Sequence, residues 1–219
     1  MNEPDLQEYE QFQKPEREEV IQRLPSKPDD YSAFPSMSFP AGSKWYRNHG
    51  PLGAWYFDGS LGGRFNLLSP NGTLYLANTE EGAFREWVGP GVDPAAHRRG
   101  IHDSLLRDRW VSFLTLPVAV NAADISASDS LWWGILPRLW CSPPYDTPQA
   151  FAKEFLEAEF GGIYTPLQYT PGQRGIAVFG EEGPREWAAG AEKVSMTAVA
   201  QKLGVPVWRA PKMREMKMI

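Results

Sequence analysis

Gly62-Gly63-Arg64-Phe65-Asn66, then Gly72-Thr73-Leu74-Tyr75-Leu76-Ala77-Asn78 and Thr79-Glu80-Glu81-Gly82-Ala83-Phe84-Arg85-Glu86-Trp87, form the stretch on which this 219-residue chain turns. A glycine turn delivers an arginine. Asn71-Gly72 is a strong turn signal, and the short apolar run after it reads as a strand carrying Tyr75. Asn78 is expected to cap the next helix, with Glu81 three residues on completing a capping box. Ala83, Phe84, Trp87 and Val88 share one helical face, which puts Glu86 on the flank. A cation, a phenol and a carboxylate within one strand–turn–helix unit can converge on a cleft. Singly, each has an ordinary reading as a solvated loop arginine, a core tyrosine and a wet glutamate. Their arrangement makes them candidates.

Working outward, Ser43 to Tyr56 is crowded with aromatics, and Trp45-Tyr46-Arg47 reads as a first strand before a turn over residues 48–53. The Arg47 fork matches phosphate oxygens and would equally pair with a surface acid. On the other side, Gly89-Pro90-Gly91 is expected to stop the helix. Trp110 to Val120 reads as a buried strand ending near Pro117. Thr147-Pro148 opens a helix whose apolar face carries Phe151, Ala152, Phe155 and Leu156 and which Gly161 stops. Ile163 to Tyr169 and Arg174 to Phe179 pair as strands around Thr170-Pro171-Gly172. A last helix starts near Ser195, and Val205 to Arg209 is a short strand. Strands and helices alternate without a βαβ rhythm, so the fold class is α+β.

Composition sets the bounds. The length suits one domain with extensions, and nine tryptophans and twenty prolines imply aromatic packing and many loops. Residues 1–43 read as a proline-rich extension lying as a strap on the core, 44–210 as the domain, and 211–219 as a fraying tail. Net charge is −5 with no basic run, which argues against a nucleic-acid partner. The single cysteine, Cys141, excludes an internal disulfide. No signal peptide or membrane span is legible, so a cytoplasmic protein is expected. His97 and His102 are five apart, which suits neither helical ligand spacing, and no metal is expected. His49 lies in a turn with no obvious serine or cysteine partner. No dinucleotide glycine fingerprint or Walker loop is present.

The order Trp45-Tyr46-Arg47, Gly63-Arg64-Phe65, Leu74-Tyr75 and Ala83-Phe84-Arg85-Glu86, followed by Phe160-Gly161-Gly162-Ile163 and Gly175-Ile176-Ala177-Val178-Phe179, resembles the RES domain family. The resemblance spans roughly residues 44 to 182. It implies a split β core like that of ADP-ribosyltransferases, with peripheral helices and NAD held in a cleft between two small sheets. It implies a toxin that degrades NAD and is neutralised by a protein antitoxin. By the same resemblance Arg64, Tyr75 and Glu86 are the catalytic candidates, and Tyr46, Arg47 and Thr165 the NAD-binding ones. The family's serine is expected a few residues after Ile163, where this chain has Tyr164-Thr165-Pro166-Leu167-Gln168-Tyr169, with Leu167 at the matching position.

Those residues suit the chemistry. Cleaving a nicotinamide–ribose bond passes through an oxocarbenium-like state, which a carboxylate stabilises while holding a hydroxyl or the attacking water. Arginines clamp pyrophosphate, and an aromatic stacks on nicotinamide or orders the ribose. Water and phosphate are both open as acceptors. Two other readings stay open: transfer of ADP-ribose to a protein, and a RES-like scaffold that lost its serine and only binds.

Overall fold

A computed structural model describes residues 21–25, 31–92, 100–141, 143–187 and 192–209. Most of residues 1–24, His97 and the 211–219 tail, on which expectations were placed, lie outside these. The fold is α+β, organised on one eight-stranded sheet. In chain order its elements are β1 (Ser36–Phe39), β2 (Lys44–His49), β3 (Tyr56–Phe57), β4 (Asn71–Ala77), α1 (Glu80–Val88), β5 (Ile101–His102), β6 (Trp110–Thr115) and β7 (Val120–Asp124). Then follow α2 (Asp146–Glu157), β8 (Gly162–Pro166), β9 (Arg174–Glu181), β10 (Gly183–Pro184), β11 (Lys193–Ser195), α3 (Met196–Lys202) and β12 (Val207–Trp208).

The strand order is β1-β7-β8-β9-β4-β2-β6-β11. β4 pairs with β9 over seven residues, from Asn71↔Glu181 to Ala77↔Gly175. Its other edge meets β2 through the single pair Tyr46↔Ala77. The sheet is therefore split at this seam into a five-stranded and a three-stranded part, and the smaller is held by the six-residue β2–β6 ladder. Two two-stranded ribbons, β3–β10 and the parallel β5–β12, lie outside it.

The central strands are covered on both faces, so β4, β7 and β9 are buried over near-continuous runs. Leu74, Ile163 and Ile176 are fully buried, and the successive residues Ala122 and Ala123 pack into the two different apolar clusters. One apolar cluster lies under α2, where Phe151 and Phe155 pack on Tyr31, Phe34 and Phe160. The Phe34–Phe155 and Tyr31–Phe155 rings lie 4.7 and 5.4 Å apart. Each such aromatic contributes about 1.5–3 kcal/mol by leaving water. Another lies under α1 and α3, around Phe84, Val88, Met196 and Val199.

Several local expectations shift by a residue or more. The cap of α1 is Thr79, whose hydroxyl accepts from the Gly82 N–H at 2.9 Å. Asn78 instead accepts from the Arg174 N–H, tying the end of β4 to β9. Gly89-Pro90-Gly91 does not stop the chain's winding but tightens it into a 3-10 turn. The strand expected from Trp110 does end near Pro117, at Thr115, since proline cannot continue a ladder, and Val120 opens β7. α2 starts at Asp146 after Tyr145, with no side-chain cap from Thr147. Residues 31–39, expected as a strap, are integral: Tyr31 and Phe34 are core, and β1 pairs with β7 over four residues.

Candidate active site

The seam between β4 and β2 opens into a cleft of about 580 Å³, within the range of small-molecule sites. All six candidates line it: Tyr46 and Arg47 on β2, Arg64 on the β3–β4 loop, Tyr75 on β4, Glu86 on α1 and Thr165 on β8. Asp58 and Tyr145 line it as well.

The loop bearing Arg64 is shaped by polar contacts at both ends. The Asp58 carboxylate accepts from the Ser60 N–H and from Asn66 Nδ2, at 3.0 and 2.9 Å. Thr73 Oγ1 donates to the Phe65 carbonyl and accepts from the Leu67 N–H. Tyr75 closes the turn, its hydroxyl accepting from the Phe65 N–H at 2.7 Å. A Cβ on Gly63 would overlap the Asn66 side chain and lie 2.8 Å from that hydroxyl, so the turn requires glycine there. Burial raises the Tyr75 phenol, opposed by the Phe65 N–H and Arg64, so it stays protonated at neutral pH while 37% of the residue's surface remains open.

Arg64 reaches across the cleft. Its Nη2 donates to Gln168 Oε1, its guanidinium lies 5.7 Å from the Tyr145 ring centre, and its Nε is buried with no hydrogen-bond partner among the described residues. Glu86 faces the same space, and its Oε1 accepts from the Tyr169 N–H at 2.6 Å. Desolvation raises the Glu86 carboxyl above its ordinary value, against the pull of the Tyr169 N–H, Arg64 and the Gln168 N–H. A carboxylate so placed is poorly solvated and ready to meet positive charge.

The two arginine candidates differ. Arg47 spends its fork on the backbone, Nη1 donating to the Ala54 carbonyl and Nη2 to that of Tyr56 at 2.7 Å. Burial and the neighbouring Arg109 lower its pKa to about 9, with Asp58 acting the other way, so it remains a cation at neutral pH. Arg47 therefore braces the residue 50–56 turn while lending charge to the cleft. Tyr46 stacks edge-on against Phe113, 5.3 Å between centres. Thr165 Oγ1 donates to the Pro166 carbonyl at 3.1 Å. Leu167 is wedged between glycines: its methyls lie where Cβ atoms on Gly82 and Gly175 would stand, at 2.6 and 2.7 Å.

Other residues at the site had no marker in the sequence. Gln168, Tyr145 and the Tyr169 N–H come from segments far from Arg64 and Glu86 along the chain. At the cleft edge, Asn48 Oδ1 accepts from Arg109 Nε and Nη2 at 2.9 and 2.6 Å, and the Arg109 guanidinium lies 3.2 Å over the Trp87 ring. Trp87, expected on the apolar face of its helix, is instead 39% exposed and donates to the Leu105 carbonyl. His49 does have a serine partner: its Nε2 lies 2.8 Å from Ser112 Oγ on the adjacent strand, in a buried pair that does not line the cleft. Among the described residues, no group of three histidine, cysteine or acidic side chains is placed to hold a metal ion. No described helix is long and apolar enough to cross a membrane.

An α+β protein with a split sheet and a cleft holding arginine, tyrosine and glutamate is the class that fold and site define. The RES domain model matches residues 30–201, and the chain belongs to that family. Among solved structures, it is similar to a chain of the M. tuberculosis MbcT–MbcA toxin–antitoxin complex. That likeness has a TM-score of 0.53 and 15% identity, over 76% of this chain and 91% of that one. No curated protein matches the sequence.

Proposed function

We propose that the cleft binds NAD and cleaves its nicotinamide–ribose bond, and that the protein is a toxin held in check by a protein antitoxin. The observation that carries this reading is the convergence of Arg64, Tyr75 and Glu86 on one cleft of the size of a small-molecule site. Membership of the RES family and the likeness to a toxin–antitoxin complex support the same reading. The ribose C1–N bond breaks, its electron pair leaving with neutral nicotinamide, and positive charge develops on the ribose. Glu86, poorly solvated and held by the Tyr169 N–H, stabilises that charge electrostatically. Arg64 holds a phosphate or ribose oxygen. An oxygen of water or phosphate then bonds to C1, a water losing one proton to Glu86 or solvent, to give ADP-ribose or its phosphorylated form.

A binding-only reading is favoured by one feature. Leu167, where the resemblance expects a serine, is packed between two glycines, and the Thr165 hydroxyl already donates to a carbonyl. The experiment that separates them follows nicotinamide release from NAD, with and without phosphate, by wild type and Glu86→Gln. Release by wild type that falls at least about 100-fold in the variant supports cleavage. An inert wild type whose Tm rises with NAD supports binding alone. No release and no shift would remove NAD as the ligand.

A further inference from the structure

We propose that Gln168 is the positioning residue of the cleft, aiming Arg64 at substrate and standing in a framework that dispenses with a serine at Leu167. The inference deepens the NAD-cleavage reading and rests on Arg64 touching substrate. Arg64 sits on a loop, and a long side chain there has many rotamers to lose. Two groups restrain it: the Tyr145 ring on one side and Gln168 Oε1 at Nη2.

The amide of Gln168 has no ambiguity of orientation. A guanidinium can only donate, so the amide oxygen must face Arg64. That leaves Nε2 facing the Cys141 carbonyl, which can only accept, and the hydrogen bond is there. Both ends of the amide are thus matched to partners on two different loops, the one before β4 and the one before α2. Gln168 clasps three segments that share no regular structure.

The residues on either side explain how the clasp is held. Leu167 donates its N–H to the Gln173 carbonyl at 3.1 Å, and its side chain fills the space left by Gly82 and Gly175. An apolar wedge there fixes the backbone and so fixes where the next two residues point. The Tyr169 N–H meets Glu86 at 2.6 Å. One dipeptide therefore governs both charges of the site, the guanidinium through the Gln168 side chain and the carboxylate through the Tyr169 backbone. Leu167 supplies anchorage where a serine would supply a hydroxyl.

The test uses two substitutions of matched length. Gln168→Met removes the acceptor, and Gln168→Glu keeps an acceptor toward Arg64 while losing the donor toward Cys141. The first readout needs no activity: the Nε–Hε resonance of Arg64 in arginine-labelled protein, identified by its loss in Arg64→Lys. In wild type and Gln168→Glu it is ordered and slow to exchange with solvent; in Gln168→Met it broadens and exchanges faster. The second is a double-mutant cycle in NAD cleavage. Gln168→Met lowers kcat/KM on the order of 100-fold, the usual cost of about 1 Å of misplacement, and causes no further fall in an Arg64→Ala background. An Arg64 resonance unchanged in Gln168→Met, or a full additional loss on the Arg64→Ala background, overturns the proposal. If wild type does not cleave NAD, the functional reading fails on its own and the resonance still decides the role of Gln168.

Discussion

The two edges of β4 are held very differently. Toward β9 the strand pairs over seven residues, and Leu74 and Ile176 beside that ladder are fully buried. The opposite edge is held at two separate points, by the Asp58↔Thr73 bridge and by the pair Tyr46↔Ala77 with β2. A sheet that pairs continuously has no room for a ligand between its strands. Where pairing lapses, side chains from both strands are left facing a common space, and here they are Tyr46, Arg47, Tyr75 and their neighbours. The long ladder supplies rigidity and the interrupted edge supplies the cleft. β4 serves both roles through the alternation of its side chains, Leu74 entering the core and Tyr75 the cleft.

The comparison breaks most severely at Leu74. Leu74→Ala removes a fully buried side chain from the paired half, and denaturant unfolding should show a loss of about 3 kcal/mol. Glu86→Gln should behave oppositely. Desolvation raises the folded carboxyl, so the charged form opposes folding above that pKa, and a neutral isostere leaves stability equal or higher while removing the proposed NAD cleavage.

A smaller effect sharpens the account of the three-stranded part. His49, buried against Ser112 across the β2–β6 ladder, has its pKa lowered by desolvation foremost, with Arg47, Lys193 and Arg109 adding to it and the Gly50 carbonyl opposing. As pH falls below about 6.5 the unfolded chain takes up the proton first. Stability is therefore complete above that pH and declines through the acid range, by at most about 1.4 kcal/mol per pH unit, until the folded ring also titrates. His49→Gln should flatten that slope in Tm measured from pH 7 to 5. An unchanged slope would assign the acid sensitivity to other groups.

The candidate core of the site was legible because it is local. Arg64, Tyr75 and Glu86 fall within one strand–turn–helix unit, where turn chemistry and helical periodicity decide which residues meet. The brace of Arg47 on the Ala54 and Tyr56 carbonyls is nearly as local, yet it depends on how a turn closes, and composition does not encode that. Gln168 with Arg64, Tyr169 with Glu86 and Ser112 with His49 are pairings across 104, 83 and 63 residues. They follow from strand order, and no periodicity carries strand order. The cap at Thr79 in place of Asn78 shows a different limit. Both residues can cap, and Asn78 is drawn away by the Arg174 N–H on the neighbouring strand.

The seam between β4 and β2 is proposed to hold NAD. Amide hydrogen exchange of Glu86→Gln with and without NAD, under conditions where the ligand is not consumed, tests it most directly. Slowed exchange concentrated at residues 46–48, 62–65, 75–77 and 167–169 is the expected result. Protection elsewhere on the molecule, or none at saturating NAD, would contradict it.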